Sequence, residues 1–456
     1  MCAAGSAWEP FRPTDNEPWD LKKVAHLHRR AGFGASWSEL QRDLKEGPEA
    51  ALGRLLNPGE ESAELREVLA ALQKGVADAA DKDERLPACW LFRILFHPDA
   101  LREKMTLFWH GHFATSNEKV RSETLMLQQN ELLRKHALGE FSSLLDGILV
   151  DPAMLIWLDG ANSPKERPNE NLAREDLELF TLGVGNYTEA DIRAAARTLT
   201  GWAQEARSYG TAQFRFDPQK FDDGLKTFLG SSGPWGRADV IRITLEQPAC
   251  AGFLCRKLYR QFIRDDGEPA PELIEPLAQE LRAHDYSIRH VVEIILRSRH
   301  FFADANRRQR IAGPVELSAG ILRALDVPRA DIRLLPLAEA CRSQGQQLFY
   351  PPNVAGWAAG KRWITSTNVV ERTNWLSDVI WGNPEYDLPP FDPIAWAQRG
   401  GVAMHDACPA LVELLLQGEL SLEARELASA VARGADADGL RKAIQILVHC
   451  PEFQLV

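Results

Sequence analysis

The spacing that points most directly to chemistry is that of two histidines, His110 and His112, in Trp109-His110-Gly111-His112-Phe113. Such a pair can ligate one divalent metal ion if the backbone is extended. On an α-helix, positions i and i+2 point about 200° apart and cannot share an ion. The pair sits at a predicted helix end, where Gly111 permits unwinding. The structural alternative is two separately hydrogen-bonded histidines, one of them in the core.

A second constellation lies on an acidic helix beginning near Pro168. Asn171, Glu175 and Glu178 fall at i, i+4 and i+7, on one face. Glu170, Arg174 and Glu178 fall on a neighbouring face, and Asn169 and Asn171 at the helix start are candidate ligand-binding residues. Carboxylates beside a guanidinium can hold a metal, or can position a general acid and base. Ordinary helix stability explains the same residues: Glu170–Arg174 and Arg174–Glu178 are i,i+4 ion pairs, and Asn169 is an N-cap. Asp176 reads as solvent-facing.

Two loops add candidate ligand-binding residues. Asp222-Asp223-Gly224-Leu225-Lys226 offers Asp223 and Lys226, but it lacks the full calcium-loop pattern and turn chemistry accounts for Asp-Gly. The segment Phe349–Trp363, FYPPNVAGWAAGKRW, offers Asn353 and Trp357. Indoles pack against flat apolar faces, sugar rings included, and also anchor interfaces. Plain packing onto the body is the simpler account. There is no Walker A loop, GxGxxG, GxSxG elbow, HExxH or kinase set, so no nucleotide cofactor is assigned.

The elements that must carry these residues are mainly helical. Helices are expected at Leu21–Gly32, Ser36–Glu46, Arg85–His97 and Asp99–His112, then over a long stretch from Asn117 to Leu138. Glu170–Leu182 and Glu189–Trp202 follow, joined by GVGNYT, where Gly183 and Gly185 can take positive φ. Thr188 with Asp191 approximates a capping box. The β signal is confined to Ala212–Phe216, which can return antiparallel through Leu225–Leu229. Helices then resume towards the C-terminus. The expected fold is mainly α, a large multi-helix body with one small β-hairpin insertion near 212–229. Residues 1–19 form an extended arm, 20–384 the main domain, and 394–456 a helical segment packed on it.

Composition bounds the function. The chain has 456 residues, 45% apolar and 26% charged, which suits a large globular core. Its 53 basic and 64 acidic residues give a net charge of −11, which argues against a nucleic-acid binder. Seven scattered cysteines without a CxxC pair read as reduced, mostly buried thiols. No apolar run of about 18 residues predicts a membrane span. The N-terminus lacks a secretory pattern, so the default compartment is the cytoplasm.

Several segments together resemble a known family. They are HLHRRAGFG, KMTLFWHGHFATS, DPAMLIWLDG, PNENLAREDLELFTLGVGNYTEADIRAAARTLTGW, DDGLKTFLG, QPACAGFLCRKLYRQFI, PPNVAGWAAGKRWI and the ending CPEFQLV. In these the chain resembles the bacterial domain-of-unknown-function 1800 family, and in particular its short planctomycete-type members. The resemblance implies a helical fold without an established activity, and a shared pathway or complex with a sulfatase-like neighbour protein. Many relatives look exported, so export here would need a partner carrying a signal. Relatives typically have His-Asp where this chain has Asp222, and His where it has Gln247.

Three functions are then open. The first is a metal-dependent, hydrolase-like enzyme on an envelope or extracellular substrate. His110 and His112 would ligate a divalent ion, Glu175 would be third ligand or base, and Glu170 and Arg174 would orient substrate. The second is a non-catalytic helical partner or scaffold for the sulfatase-like neighbour. The third is a glycan-binding module built on the tryptophans.

Overall fold

A computed structural model describes residues 7–77, 85–160, 163–208 and 211–456. Among them are 24 α-helices and two two-stranded antiparallel sheets. The mainly helical body expected from the sequence is what folds.

Local chemistry sets most helix ends. Asp20 accepts from the Lys23 amide and starts α1 (Leu21–Ala31). Asp99 accepts from the Arg102 amide and starts α2 (Ala100–His112). Ser36 with Glu39, and Thr188 with Asp191, form reciprocal capping boxes. The other helices that position the chemistry are α3 (Glu170–Glu175), α4 (Glu189–Thr198), α5 (Pro248–Phe262), α6 (Pro271–Ala283), α7 (Ile288–Arg297) and α8 (Pro314–Ala324).

Three expected elements differ. The stretch from Asn117 to Leu138 is two helices, Asn117–Val120 and Glu123–His136. Arg121 between them is left-handed at φ 53°, and Ser122 caps the second helix. Glu170–Leu182 is not one regular helix, because α3 passes directly into a π-helical turn, Asp176–Thr181. The strand Thr211–Phe216 pairs with Trp202–Ser208, upstream of it, rather than with the segment after Asp223. Lys226–Phe228 forms its own ladder with Ser231–Gly233. The error lay in taking Trp202 for a helix end: α4 stops at Thr198, and Gly201 turns the chain at φ 93°.

The buried apolar residues form two large cores. One gathers Trp109, Phe113, Phe141, Leu177, Phe180, Leu254 and Leu258. The other gathers Trp90, Leu91, Val315, Leu376, Leu411 and Ile444. The last helices therefore share a core with residues from the first hundred. Helix α1 serves both, with Leu27 and Ala31 in the first core and Val24 and Ala25 in the second. Of the N-terminal arm, Trp8 donates to the Leu273 carbonyl and Trp19 to the Asp43 carbonyl, which ties it down; residues 1–6 lie outside the described residues. The described cysteines are free thiols, and all but Cys450 are buried.

Candidate functional site

The two histidines are on a regular helix, so they diverge. His110 points to the second core, with its ring 5.2 Å from those of Trp90 and Phe349 and 5.3 Å from that of Trp357. Its Nε2 accepts from the Phe349 amide at 3.0 Å. Burial pulls its pKa down to about 3. It is a neutral core histidine that fixes the 349–363 loop. That loop lies directly on the end of α2: a Cβ on Gly356, which has φ 78°, would stand 2.3 Å from the Gly111 carbonyl oxygen.

His112 points the other way, into the first core. Its Nε2 is 3.0 Å from the Phe180 carbonyl oxygen. A carbonyl only accepts, so Nε2 carries the proton and Nδ1 keeps the lone pair. The Lys257 amine on α5 donates to that Nδ1 at 2.9 Å and to the Leu179 carbonyl at 3.0 Å.

The π-helical turn is what makes both carbonyls available. The Leu182 and Gly183 amides both bond to the Leu177 carbonyl, so the helix closes without using those of Leu179 and Phe180. Gly183 is left-handed at φ 79° and lies against Phe253, where a Cβ would approach the ring to 3.1 Å. Lys257 sits over the same Phe253 ring at 4.7 Å.

The electrostatics of this corner are unusual. Burial, and secondarily the Arg260 charge, bring the Lys257 amine down to about 7. Burial and the Lys257 charge keep His112 neutral, against the pull of the Phe180 carbonyl. Asp176 opens the π turn and is 1% exposed, and neither carboxylate oxygen has a hydrogen-bond partner among the described residues. Burial alone pushes it up to about 7. Asp151 is also raised to about 7 by burial, but it caps its helix and accepts from Gln129 at 2.7 Å. Each of the two, the lysine and the unpartnered carboxyl, can take or give a proton near physiological pH.

The expectation that Asp176 faces solvent is thus corrected. It lies in the stripe of Leu172, Ala173 and Phe180, and that stripe is buried. The other expected site residues are scattered. Arg174 grips Glu189 of α4 through two bonds, at 2.7 and 2.9 Å, with Glu170 at 3.6 Å. Glu178 accepts from the Tyr187 hydroxyl, and burial with the Glu178 charge raises Glu175. Asn169 caps α3 and donates to the Asp159 carbonyl, and Asn171 donates to the Leu158 carbonyl. Lys226 is buried, and its amine donates to the Asp222, Gly224 and Trp235 carbonyls, knotting the turn that leaves Asp223 exposed. Asn353 is exposed and accepts from the Ala355 amide.

His110, His112 and Glu175 are therefore not brought together, and in this arrangement both histidine lone pairs are already accepting. Among the described residues, Glu280, His284 and His290 form the group of three whose ligand atoms converge. Lys257 went unnoticed in the sequence, although a signal existed. It occupies the apolar stripe of Cys250, Leu254 and Leu258, where a lysine is out of place.

The model of a family described as "Protein of unknown function (DUF1800)" matches residues 26–455. No curated protein and no solved structure matches the chain. Among the described residues, no helix is long and apolar enough to cross a membrane.

Proposed function

The chain belongs to the DUF1800 family, and on that premise we propose that it is an enzyme of hydrolase type that works by acid–base chemistry at Lys257, His112 and Asp176. The observation that carries this reading is the Lys257–His112 contact at the π-helical turn. Three of the segments on which the family resemblance rests meet there. Capping the turn's carbonyls explains why a cation sits at this place. It does not explain why the cation is half-buried without a carboxylate and drawn down to about 7. In the proposed chemistry the neutral Lys257 amine takes a proton from water or a substrate hydroxyl, and His112 holds the amine in position. Asp176, protonated up to about pH 7, is assigned the role of a proton store.

The test is a panel of ester, phosphate, sulfate, glycoside and peptide substrates, run with the parent, Lys257→Met and His112→Asn. The expected result is turnover of one class, falling about 100-fold or more in Lys257→Met. No turnover by the parent, or equal turnover by the variants, overturns the reading.

A second reading, a helical partner for a sulfatase-like neighbour, has one observation in its favour. The helix Ser366–Trp381, which follows the aromatic loop, exposes the adjacent Val369 and Val370. Exposed apolar side chains of this kind can anchor a partner. Co-expression of the two proteins checks it: co-purification that Val370→Asp abolishes is the expected outcome, and independent elution removes the reading.

A further inference from the structure

We propose that Glu280, His284 and His290 form a site for a zinc-class divalent cation that clamps the turn between α6 and α7. The site is separate from the Lys257 corner and does not depend on the function assigned to it.

Two imidazoles and one carboxylate are a donor set that zinc favours, with further positions left for water. Glu280 and His284 are spaced i,i+4 at the end of α6, so they share one face. His290 comes from the first turn of α7, whose N-cap Ser287 accepts from the His290 amide. One ligand atom from each of the three lies within 4.8 Å of the others. The imidazoles of His284 and His290 stack with centroids 3.6 Å apart and planes 23° from parallel.

The ligand groups already face one another. The His284 Nδ1 is 2.9 Å from the Glu280 carbonyl oxygen and 3.4 Å from its carboxylate. His290 Nε2 is 2.8 Å from the Glu280 carboxylate. A cation entering between them replaces that one proton and keeps both groups as ligands. Donors bound at about 2.0–2.2 Å lie roughly 3.3 Å from one another, so the stacked rings must splay to aim both lone pairs at one ion.

The turn that carries these residues is held in advance. Asp285 and Tyr286 are both left-handed, at φ 52° and 58°. Two such non-glycine residues in a row persist only where the surroundings dictate them. Here the Tyr286 side chain is buried and its hydroxyl donates to the Leu245 carbonyl. Its own carbonyl accepts from the Phe141 amide, and the Ile288 amide donates to the Gly139 carbonyl. The helix ends are thus fixed to a third segment before any ion arrives, which lowers the ordering cost of binding. Glu280 and His284 are exposed and His290 is partly so, which leaves a path for the ion.

The experiment titrates the full chain with Zn²⁺ by calorimetry, and with Co²⁺ by visible absorption. The parent is expected to bind one ion per chain, to show tetrahedral cobalt bands, and to melt at a higher temperature with zinc. Co²⁺ should give no thiolate charge-transfer band, since the donors are nitrogen and oxygen. His290→Ala and Glu280→Gln should each weaken binding about tenfold or more. Circular dichroism of each variant confirms folding, and His284→Gln provides an independent substitution on an exposed side chain. Binding that survives all three substitutions, a thiolate band, or no binding by the parent at millimolar zinc overturns the proposal.

Discussion

Two regions of the molecule treat charge withdrawn from water in opposite ways. Between the cores, the Glu316 carboxylate on α8 accepts from Lys104, Arg310 and the Gly313 amide. Lys104 spends its remaining donors on the Arg29 and Gly32 carbonyls. Nearby, Glu103 accepts two bonds from Arg134 and one from Trp90. Burial works against the Glu316 charge, yet Arg310 and Lys104 hold its pKa far below the carboxylate range. At the π-helical turn, by contrast, Asp176 has no partner and Lys257 has no carboxylate. Paired charge in a dry interior serves position; unpaired charge there gives up its ordinary pKa and becomes available for proton transfer. The difference separates the part of this chain held by ion pairs from the part to which the proposed chemistry is assigned.

Breaking the paired region should have the largest effect. Glu316→Gln leaves two buried cations facing each other, and should cost about 3–5 kcal/mol in urea unfolding. A cost under about 1 kcal/mol would mean that the seam is wetter than its burial shows.

The unpaired region should respond with the opposite sign. Asp176 has a folded pKa of about 7, above the ordinary value of about 3.9. Between these values the unfolded chain is ionised while the folded one holds its proton. Stability is therefore full below about pH 4 and falls as pH rises through about 7. Asp176→Asn should match the parent near pH 4 and be more stable by about 2–4 kcal/mol at pH 8. Lys257 slopes the other way. Its folded pKa of about 7 lies below the ordinary value of about 10.4, so its penalty is present below pH 7 and is relieved between about pH 7 and 10. Parallel curves for parent and Asp176→Asn would place this carboxylate in water.

The same contrast explains what the sequence allowed one to read. Caps at Asp20, Ser36, Asp99 and Thr188 were readable because a cap is written in adjacent residues. The divergence of His110 and His112 follows from helix geometry once the helix is granted. Asp176 and Lys257 lie on or beside apolar stripes, but the charge of Asp176 points to solvent and Lys257 carries no motif to single it out. The π turn left no periodic trace, since it shifts the hydrogen bonding of a single turn. The Trp202–Ser208 strand was hidden because Gly201 turns the chain into it directly after the helix ending at Thr198.

The smallest effect is expected at the exposed acidic helix. Arg174→Ala removes the two bonds to Glu189 that join α3 to α4, and should cost about 0–1 kcal/mol. A loss of activity far beyond that of stability would return Arg174 to the site.

The claim that Lys257 is an unpaired, proton-exchanging amine is tested most directly by its own titration. Protein labelled with ¹³C-lysine, with the Lys257 signal assigned from Lys257→Met, would be followed by NMR from pH 5 to 11. A midpoint near 7 is the predicted result. A midpoint near 10.4, the value of an ordinary lysine, would contradict the account and leave Lys257 as a helix cap.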